Sequence, residues 1–261
     1  RLDLIENPLF GKVLMLDGAT QVTSADEFIY HEMMAHVPLL AHGAAREVLI
    51  VGGGDCGLAE EVLKHKGVER LTQVEIDESV VAFAREHFAD FNAPAFADPR
   101  FSIEIADGAA FVAETGRRFD VILIDSTDPV GPGAVLFTES FYCNLRRCLR
   151  PGGIVVTQSG VPFIQRTEFA SAMRNLARAF PIATCYVVAV PTYYGGHMAL
   201  GWASAERAPR DCDIETLASR ASGLATRYYT PEVHAAAFAL PRYIAQARDE
   251  AVAQATSGRS R

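Results

Sequence analysis

The sequence predicts an α/β fold, a parallel sheet with helices on both faces, and three observations carry that prediction. Strand-like and helix-like patterns alternate through residues 46–180. The first of these strands runs into a glycine-rich turn, Gly52-Gly53-Gly54-Asp55-Cys56-Gly57, that opens a helix. The stretch FDVILIDSTDPVGP, residues 119–132, is an apolar strand ending in Asp125, with Asp128 three residues on between prolines. A near-continuous apolar run is what a strand buried on both faces requires. The carboxyl ends of such strands are where open α/β sheets bind ligands.

Residues 1–24 contain β-prone pieces, LDLIE and KVLMLDG, punctuated by Asn7-Pro8, Phe10-Gly11 and Asp17-Gly18. They read as short antiparallel strands, with the chain starting inside this hairpin region. A helix is expected over Ala25–Leu40, capped by Ser24 with Glu27 three residues later. REVLIVG, LTQVEID, FSIEIAD and FDVILID then read as strands, separated by helices near Gly57–His65, Glu78–Phe88 and Ala109–Glu114. A helix over Thr138–Leu149 is stopped by Pro151-Gly152-Gly153 before the strand GIVVTQS. Another helix, Arg166–Phe180, precedes the β-rich pieces ATCYVVAV and HMALGWAS, which flank the turn PTYYGG. Helical patterns at Asp213–Ser222 and Pro231–Leu240 close the fold. The chain divides into an N-terminal β-hairpin region (1–24), a catalytic domain (25–248) and a polar tail (249–261) expected to fray.

With 261 residues, 49% of them hydrophobic and 21% charged, the chain has the composition of a globular domain with one sizeable core. No stretch is apolar for the length of a bilayer span and no leader pattern is seen, so a cytoplasmic protein is expected. Five cysteines without a C-x-x-C pair indicate neither a disulfide framework nor a zinc site. A net charge of −8 argues against nucleic acid and suits a cationic partner.

Three successive strands end in acids. Asp125 and Asp128 lie in a loop stiffened by Pro129 and Pro132; singly, they also fit a cap and a solvated turn residue. Glu75 ends QVEID, placed to hold ribose hydroxyls, and Asp107-Gly108 follows the next strand, placed to meet an adenine amino group. Each alone fits a helix cap or a surface charge; together they favour a nucleoside. Gly52 and Gly54 let such a ligand approach the backbone. A dinucleotide is disfavoured, because Asp55 would face its pyrophosphate across the turn. An S-adenosylmethionine methyltransferase, the nearest rival, meets the same objection, since Asp55 would oppose the methionine carboxylate. Decarboxylated S-adenosylmethionine has only a propyl ammonium there, for which Asp55 is a counter-ion.

These residues resemble the polyamine aminopropyltransferase family through LMLDGATQ, DEFIYHEM, LIVGGGD, VEID, Asp107-Gly108, DSTDPVGP, PTYYGG and RYYTPEVHAAAFALP. The resemblance covers nearly the whole chain. It implies a Rossmann-like methyltransferase-type core with a small N-terminal β-domain, assembled as a homodimer or homotetramer. The implied reaction moves an aminopropyl group from decarboxylated S-adenosylmethionine, a co-substrate rather than a cofactor, to putrescine without a metal. Cadaverine, agmatine and spermidine stay open as acceptors.

Carried over, the resemblance makes Asp125 the proton acceptor, Asp55 and Asp128 contacts for the amine groups, and Glu75, Asp107 and Gly108 nucleoside contacts. Pro132 falls beside the thioadenosyl group. His31, read from its helix alone as a polar-face residue, becomes a polyamine contact. Tyr30 helps orient the nitrogen, and Gln21 and Tyr193 line the groove, where a tyrosine ring meets an ammonium by cation–π attraction.

Two positions depart from the family pattern. Cys56 stands where glycine is usual, its thiol expected to be acidified by the helix start, and Glu60 stands where many relatives have arginine. A glutamine that relatives use for the thioadenosyl group would precede Arg1.

Overall fold

In a computed structural model of the chain, residues 1–129 and 131–257 are described. Three strands, β1 (Leu2–Asn7), β2 (Gly11–Leu16) and β3 (Ala19–Thr23), form an antiparallel sheet in that order. Asp17 and Gly18, both at positive φ (50° and 84°), make the tight β2–β3 turn that the Asp-Gly pair announced. Leu14 and Val22 pack this sheet onto Phe88, and the Lys12 ammonium donates to the His87 carbonyl.

Helix α1 (Glu27–His42) leads into a seven-stranded sheet made of β4 (Glu47–Gly52), β5 (Arg70–Glu75), β6 (Phe101–Ile105), β7 (Phe119–Asp125), β8 (Leu149–Gln158), β9 (Ile182–Val188) and β10 (Met198–Ser204). The strand order is β6-β5-β4-β7-β8-β10-β9. Strands β4 to β8 are parallel, whereas β10 runs antiparallel to both β8 and β9. The alternation read from the sequence therefore holds through β8, and the last two strands close the edge as a hairpin. The connections reverse direction between β4 and β7, which opens a crevice at their carboxyl ends.

Period-two alternation divides these strands between two cores. Val48, Ile50, Val121 and Leu123 join α1, α2 (Gly57–Leu63), α3 (Glu78–His87), α4 (Ala89–Ala97), α8 (Ile214–Ala221) and α9 (Pro231–Ala237) on one face. Leu49, Val51, Ile122 and Ile124 join α5 (Gly108–Glu114), α6 (Glu139–Cys148), α7 (Arg166–Ala179) and α10 (Arg242–Ser257) on the other. Burial on both faces is why their sequences read as unbroken apolar runs. Among the described residues, no helix is long and apolar enough to cross a membrane.

Two expectations are corrected, and two helices, α4 and α10, were not foreseen. Ser24 does not cap α1: its hydroxyl accepts from the Lys12 amide, and Asp26 occupies the cap position with its carboxylate engaged elsewhere. Helix α4, whose cap residue is Phe88 and which contains Pro94, carried no readable start signal. Residues 249–257 do not fray but continue α10, with Ala251 and Ala255 buried.

Helix α1 anchors the segment before α9. Glu32, 1% exposed, accepts the amides of Arg227 (2.7 Å), Tyr228 (2.9 Å) and Tyr229 (2.7 Å). A Glu32→Ala variant leaves these donors without their acceptor and should lose about 3 kcal/mol in urea unfolding. An unchanged midpoint would show that water replaces the carboxylate at no cost.

Candidate active site

The floor of the crevice is the meeting of β4 and β7. Gly52 (φ +85°) pairs with Asp125, and a Cβ on Gly52 would lie 2.1 Å from the Asp125 carbonyl oxygen. The Gly53 amide donates to that same oxygen at 2.8 Å, and a Cβ on Gly53 would lie 2.9 Å from Asp125 Oδ2. Glycine is required at both positions so that the turn can wrap the end of β7. Buried Gln73 donates to the Gly53 carbonyl at 2.6 Å, and buried Asn92 of α4 donates to the Asp55 carbonyl at 2.9 Å. Side chains from neighbouring elements thus hold the turn from beneath.

Asp55, half-buried at the start of α2, accepts the Gly57 amide through Oδ1 at 2.7 Å. Among the described residues, its Oδ2 accepts no hydrogen bond. Cys56 takes left-handed φ (61°), and its thiol is fully buried near Gln73 and the Gly54 carbonyl. Burial, with Asp55 adding, pushes that thiol up rather than down, so the expected acidic cysteine is absent. Glu60 pairs with Lys64 at 3.2 Å on α2; burial and the neighbouring Glu61 push it up to about 7, and it joins none of the groove residues.

Asp125 sits partly buried at the end of β7, accepting the Tyr30 hydroxyl through Oδ1 at 2.9 Å. Burial and then the Asp55 carboxylate push Asp125 up to about 7, with His31 and Tyr30 opposing. Burial and Asp125 also hold the Tyr30 hydroxyl well above its ordinary value, so Tyr30 remains a donor. Tyr193 stacks edge-on to Tyr30 (centroids 5.9 Å apart) and donates its hydroxyl to the Gln21 carbonyl at 2.6 Å. The PTYYGG loop is tied down by Asp26, which accepts the Thr192 amide at 2.7 Å and the Thr23 hydroxyl at 2.5 Å.

Asp128 is exposed at the rim, accepting Gln165 at 2.7 Å and Gln158 at 3.3 Å. His31, 2% exposed, lies between two carboxylates: Nδ1 is 2.8 Å from Glu27 and Nε2 is 3.5 Å from Asp55. A Cβ on Gly57 would strike the His31 ring at 2.3 Å, so that glycine makes room for the histidine.

The ends of β5 and β6 are arranged differently from the glycine turn. Glu75, at the end of β5, has Oε1 on the Asp77 amide (3.0 Å), while its Oε2 lies 3.2 Å from where a Gly54 Cβ would be. Burial pushes Glu75 up. Asp107 caps α5, its Oδ1 accepting the Ala109 and Ala110 amides, so the cap role foreseen for it singly is realised. Gly108 packs on Val51, where a Cβ would come within 2.4 Å. Ile76 and Ile105, exposed beside these acids, present apolar surface of the kind a base ring covers.

The structure brings Tyr30, His31, Asp55, Asp125 and Tyr193 together, with Asp128 at the rim and Glu75, Asp107 and Gly108 along the adjoining strand ends. Gln21 contributes through its carbonyl, because its side chain turns back to Ala19. Pro132 lies in the 3-10 turn Gly131–Phe137, and its side chain is outside the described residues. Sequence reasoning read Glu27 only as a helix-start residue and did not single out Asp26, Gln73, Asn92, Gln158 and Gln165. Two had a readable signal: Glu27 stands one turn before His31, and Gln158 ends a strand of the parallel sheet.

Among the described residues, none of Asp55, Glu75, Asp125 and Asp128 pairs with a lysine or arginine. A hollow of about 680 Å³ elsewhere, lined by Arg210, Asp213, Glu215 and His234, has charges of both signs and no strand end. The crevice at the strand ends, by contrast, is lined by acids of one sign.

The spermine/spermidine synthase domain model matches residues 27–213. The polyamine aminopropyltransferase of Ruegeria sp. (strain TM1040) is 54% identical over 246 residues, covering 94% of this chain and 87% of that protein. Its counterpart in Salmonella arizonae is 52% identical over 245 residues, covering 93% and 86%. A crystal structure of spermidine synthase in complex with the transition state analogue AdoDATO superposes with TM-score 0.90 at 40% identity, covering 95% of this chain and 84% of that one. Spermidine synthase from Thermotoga maritima superposes with TM-score 0.86 at 37% identity, covering 95% and 83%. A matching domain across most of the sequence, on a fold shared with spermidine synthases, establishes that the chain belongs to the spermine/spermidine synthase family and is an aminopropyltransferase.

Proposed function

We propose that the enzyme transfers the aminopropyl group of decarboxylated S-adenosylmethionine to putrescine, giving spermidine and 5'-methylthioadenosine. The observation that carries this reading is the group of carboxylates that, among the described residues, has no lysine or arginine partner, centred on Asp125, which is pushed up to about 7. In water a diamine nitrogen has a pKa of about 10 and is protonated at neutral pH, so it cannot attack carbon. An aspartate raised to about 7 is a far better acceptor for that proton than an ordinary carboxylate.

In the proposed reaction Asp125 takes the proton while Tyr30, bonded to the same carboxylate, fixes its orientation. The freed nitrogen pair forms the new C–N bond at the propyl carbon. The C–S bond breaks on the opposite side, and its electron pair stays on sulfur as a neutral thioether. Asp55 grips the propyl ammonium through its free Oδ2, and Asp128, oriented by Gln158 and Gln165, holds the acceptor amine. Glu75 holds the ribose and Asp107-Gly108 meets the base edge. The similarity to a spermidine synthase complexed with AdoDATO supports this assignment of the groove. Self-association as a homodimer or homotetramer belongs to the same proposal and is tested by sedimentation.

Incubation with the decarboxylated donor and putrescine should release methylthioadenosine and form spermidine. Preferential turnover of cadaverine, agmatine or spermidine would change the assigned acceptor, and S-adenosylhomocysteine from the intact donor would overturn the reaction class.

Asp55→Asn should bind the decarboxylated donor roughly tenfold or more weakly and lose its preference over S-adenosylmethionine, because a charge-assisted bond is removed. Equal affinities of wild type and variant would remove Asp55 from the donor site.

Asp125→Asn should lower kcat roughly 10²- to 10⁴-fold. The same substitution has a pH-dependent effect on stability with a definite sign. The folded value is raised, so ionising Asp125 costs the folded state nothing below about pH 4 and progressively more as pH rises through about 7. The variant should therefore melt higher than wild type at pH 8 and no higher at pH 4; the opposite order would disprove an elevated Asp125.

A further inference from the structure

Among the described residues, His31 is the only basic side chain in an ion pair with Asp55, and the arrangement around it is a chain of three. Glu27 Oε2 lies 2.8 Å from His31 Nδ1, and His31 Nε2 lies 3.5 Å from Asp55 Oδ1. All three are enclosed: Glu27 is 8% and His31 2% exposed, and Asp55 is half-buried. The charged and titratable groups facing the ring are Glu27 and Tyr30 on α1, Asp55 on the turn before α2, Glu61 on α2 and Asp125 on β7. Phe91 of α4 closes the remaining side. Burial works to deprotonate His31, but the carboxylates of Asp55 and Glu27 outweigh it and hold the ring well above its ordinary value. The His31 imidazolium thus already sets one cation against Asp55.

A ligand ammonium seated on Asp55 alters that balance. Two unit charges about 4 Å apart repel by roughly 4 kcal/mol at the effective dielectric of a partly buried site, equivalent to about three pKa units. That repulsion drives the imidazolium toward losing a proton. Which nitrogen loses it depends on the other's partner: Glu27 keeps Nδ1–H, so Nε2 is left with a lone pair facing the ligand side.

Resting on the proposed reaction, we infer that His31 is an exchangeable counter-ion: it balances Asp55 as an imidazolium in the empty enzyme and releases its Nε2 proton to solvent when the donor's ammonium docks. Glu27 is the positioning residue, holding Nδ1–H so that neutral His31 accepts a hydrogen bond from the ammonium. One cation replaces another, so the acidic groove binds its substrate without gaining a second positive charge beside Asp55. No bond other than N–H changes, and the proton leaves to buffer.

The test is calorimetric titration of the intact enzyme with decarboxylated S-adenosylmethionine in buffers of different ionisation enthalpy, beside turnover with putrescine on the same preparation. Neutral methylthioadenosine, which lacks the ammonium, separates out any proton lost by Glu75. Wild type should release on the order of one proton per donor bound and close to none with methylthioadenosine. His31→Gln should abolish the release. Glu27→Gln, which keeps shape and hydrogen bonding, should reduce it by at least about half and raise Kd roughly three- to tenfold, with a melting curve to show that it folds. Turnover without proton release in wild type would overturn the inference and leave the reaction standing. Release undiminished in His31→Gln but lost in Asp125→Asn would assign the proton to Asp125 and also overturn it. Undiminished release in Glu27→Gln would refute the part given to Glu27, and absence of both binding and turnover would defeat the inference together with the reaction.

Discussion

Two backbone contacts at the end of β7 govern the molecule: Gly52 lies against the Asp125 carbonyl, and the Gly53 amide donates to it. They fasten the glycine turn to the neighbouring strand end and so fix the spacing between Asp55 and Asp125. The spacing matters because the two carboxylates act on each other. Asp55 helps to raise Asp125, and without that rise an aspartate would be a poor partner for an ammonium proton. A side chain on either glycine would part the turn from the strand and loosen both the geometry and the electrostatics. Gln73 and Asn92 reinforce the same turn through its carbonyls.

Grouping acids without basic partners costs stability, and the fold distributes that cost. Glu32, also buried on α1, is satisfied by three backbone amides. Glu27 shares His31 with Asp55, and Asp26 is occupied by Thr23 and Thr192. The start of α1 therefore gathers Asp26, Glu27, His31 and Glu32, and Thr192, Asp55 and the 227–229 amides tie this cluster to three other parts of the chain. Among the described residues, the acids at the strand ends and on the glycine turn are left without a lysine or arginine partner, and the proposed cationic ligands would complete the set. Dications suit this arrangement because each ammonium replaces a missing counter-charge, whereas a carboxylate-bearing donor would add to the repulsion at Asp55.

The sequence and the structure differ in instructive ways. Glycine turns, strand-end acids and apolar strands are local signals, and each proved to be where its pattern placed it. Cys56 shows the limit: a thiol at a helix start reads as acidified, but its side chain points into the core, and desolvation exceeds any help from the helix end. Gln21 meets Tyr193 through its backbone carbonyl while its side chain turns back to Ala19, a role that residue type does not encode. Gln165 was invisible because its loop lies 37 residues from Asp128, and nothing in one segment encodes the approach of another.

What the amino-acid order determined by itself was the succession of elements apart from α4 and α10, the two-faced burial of the central strands and the identity of the acids at their ends. These follow from side-chain period and turn chemistry, which act over a few neighbouring residues. Only the tertiary structure decided that β9 and β10 close the sheet antiparallel, that Tyr30 bonds to Asp125, and that His31 sits between Glu27 and Asp55. Proton affinity and hydrogen-bond partner are set by distance and burial, and both arise when segments far apart in the chain pack against one another.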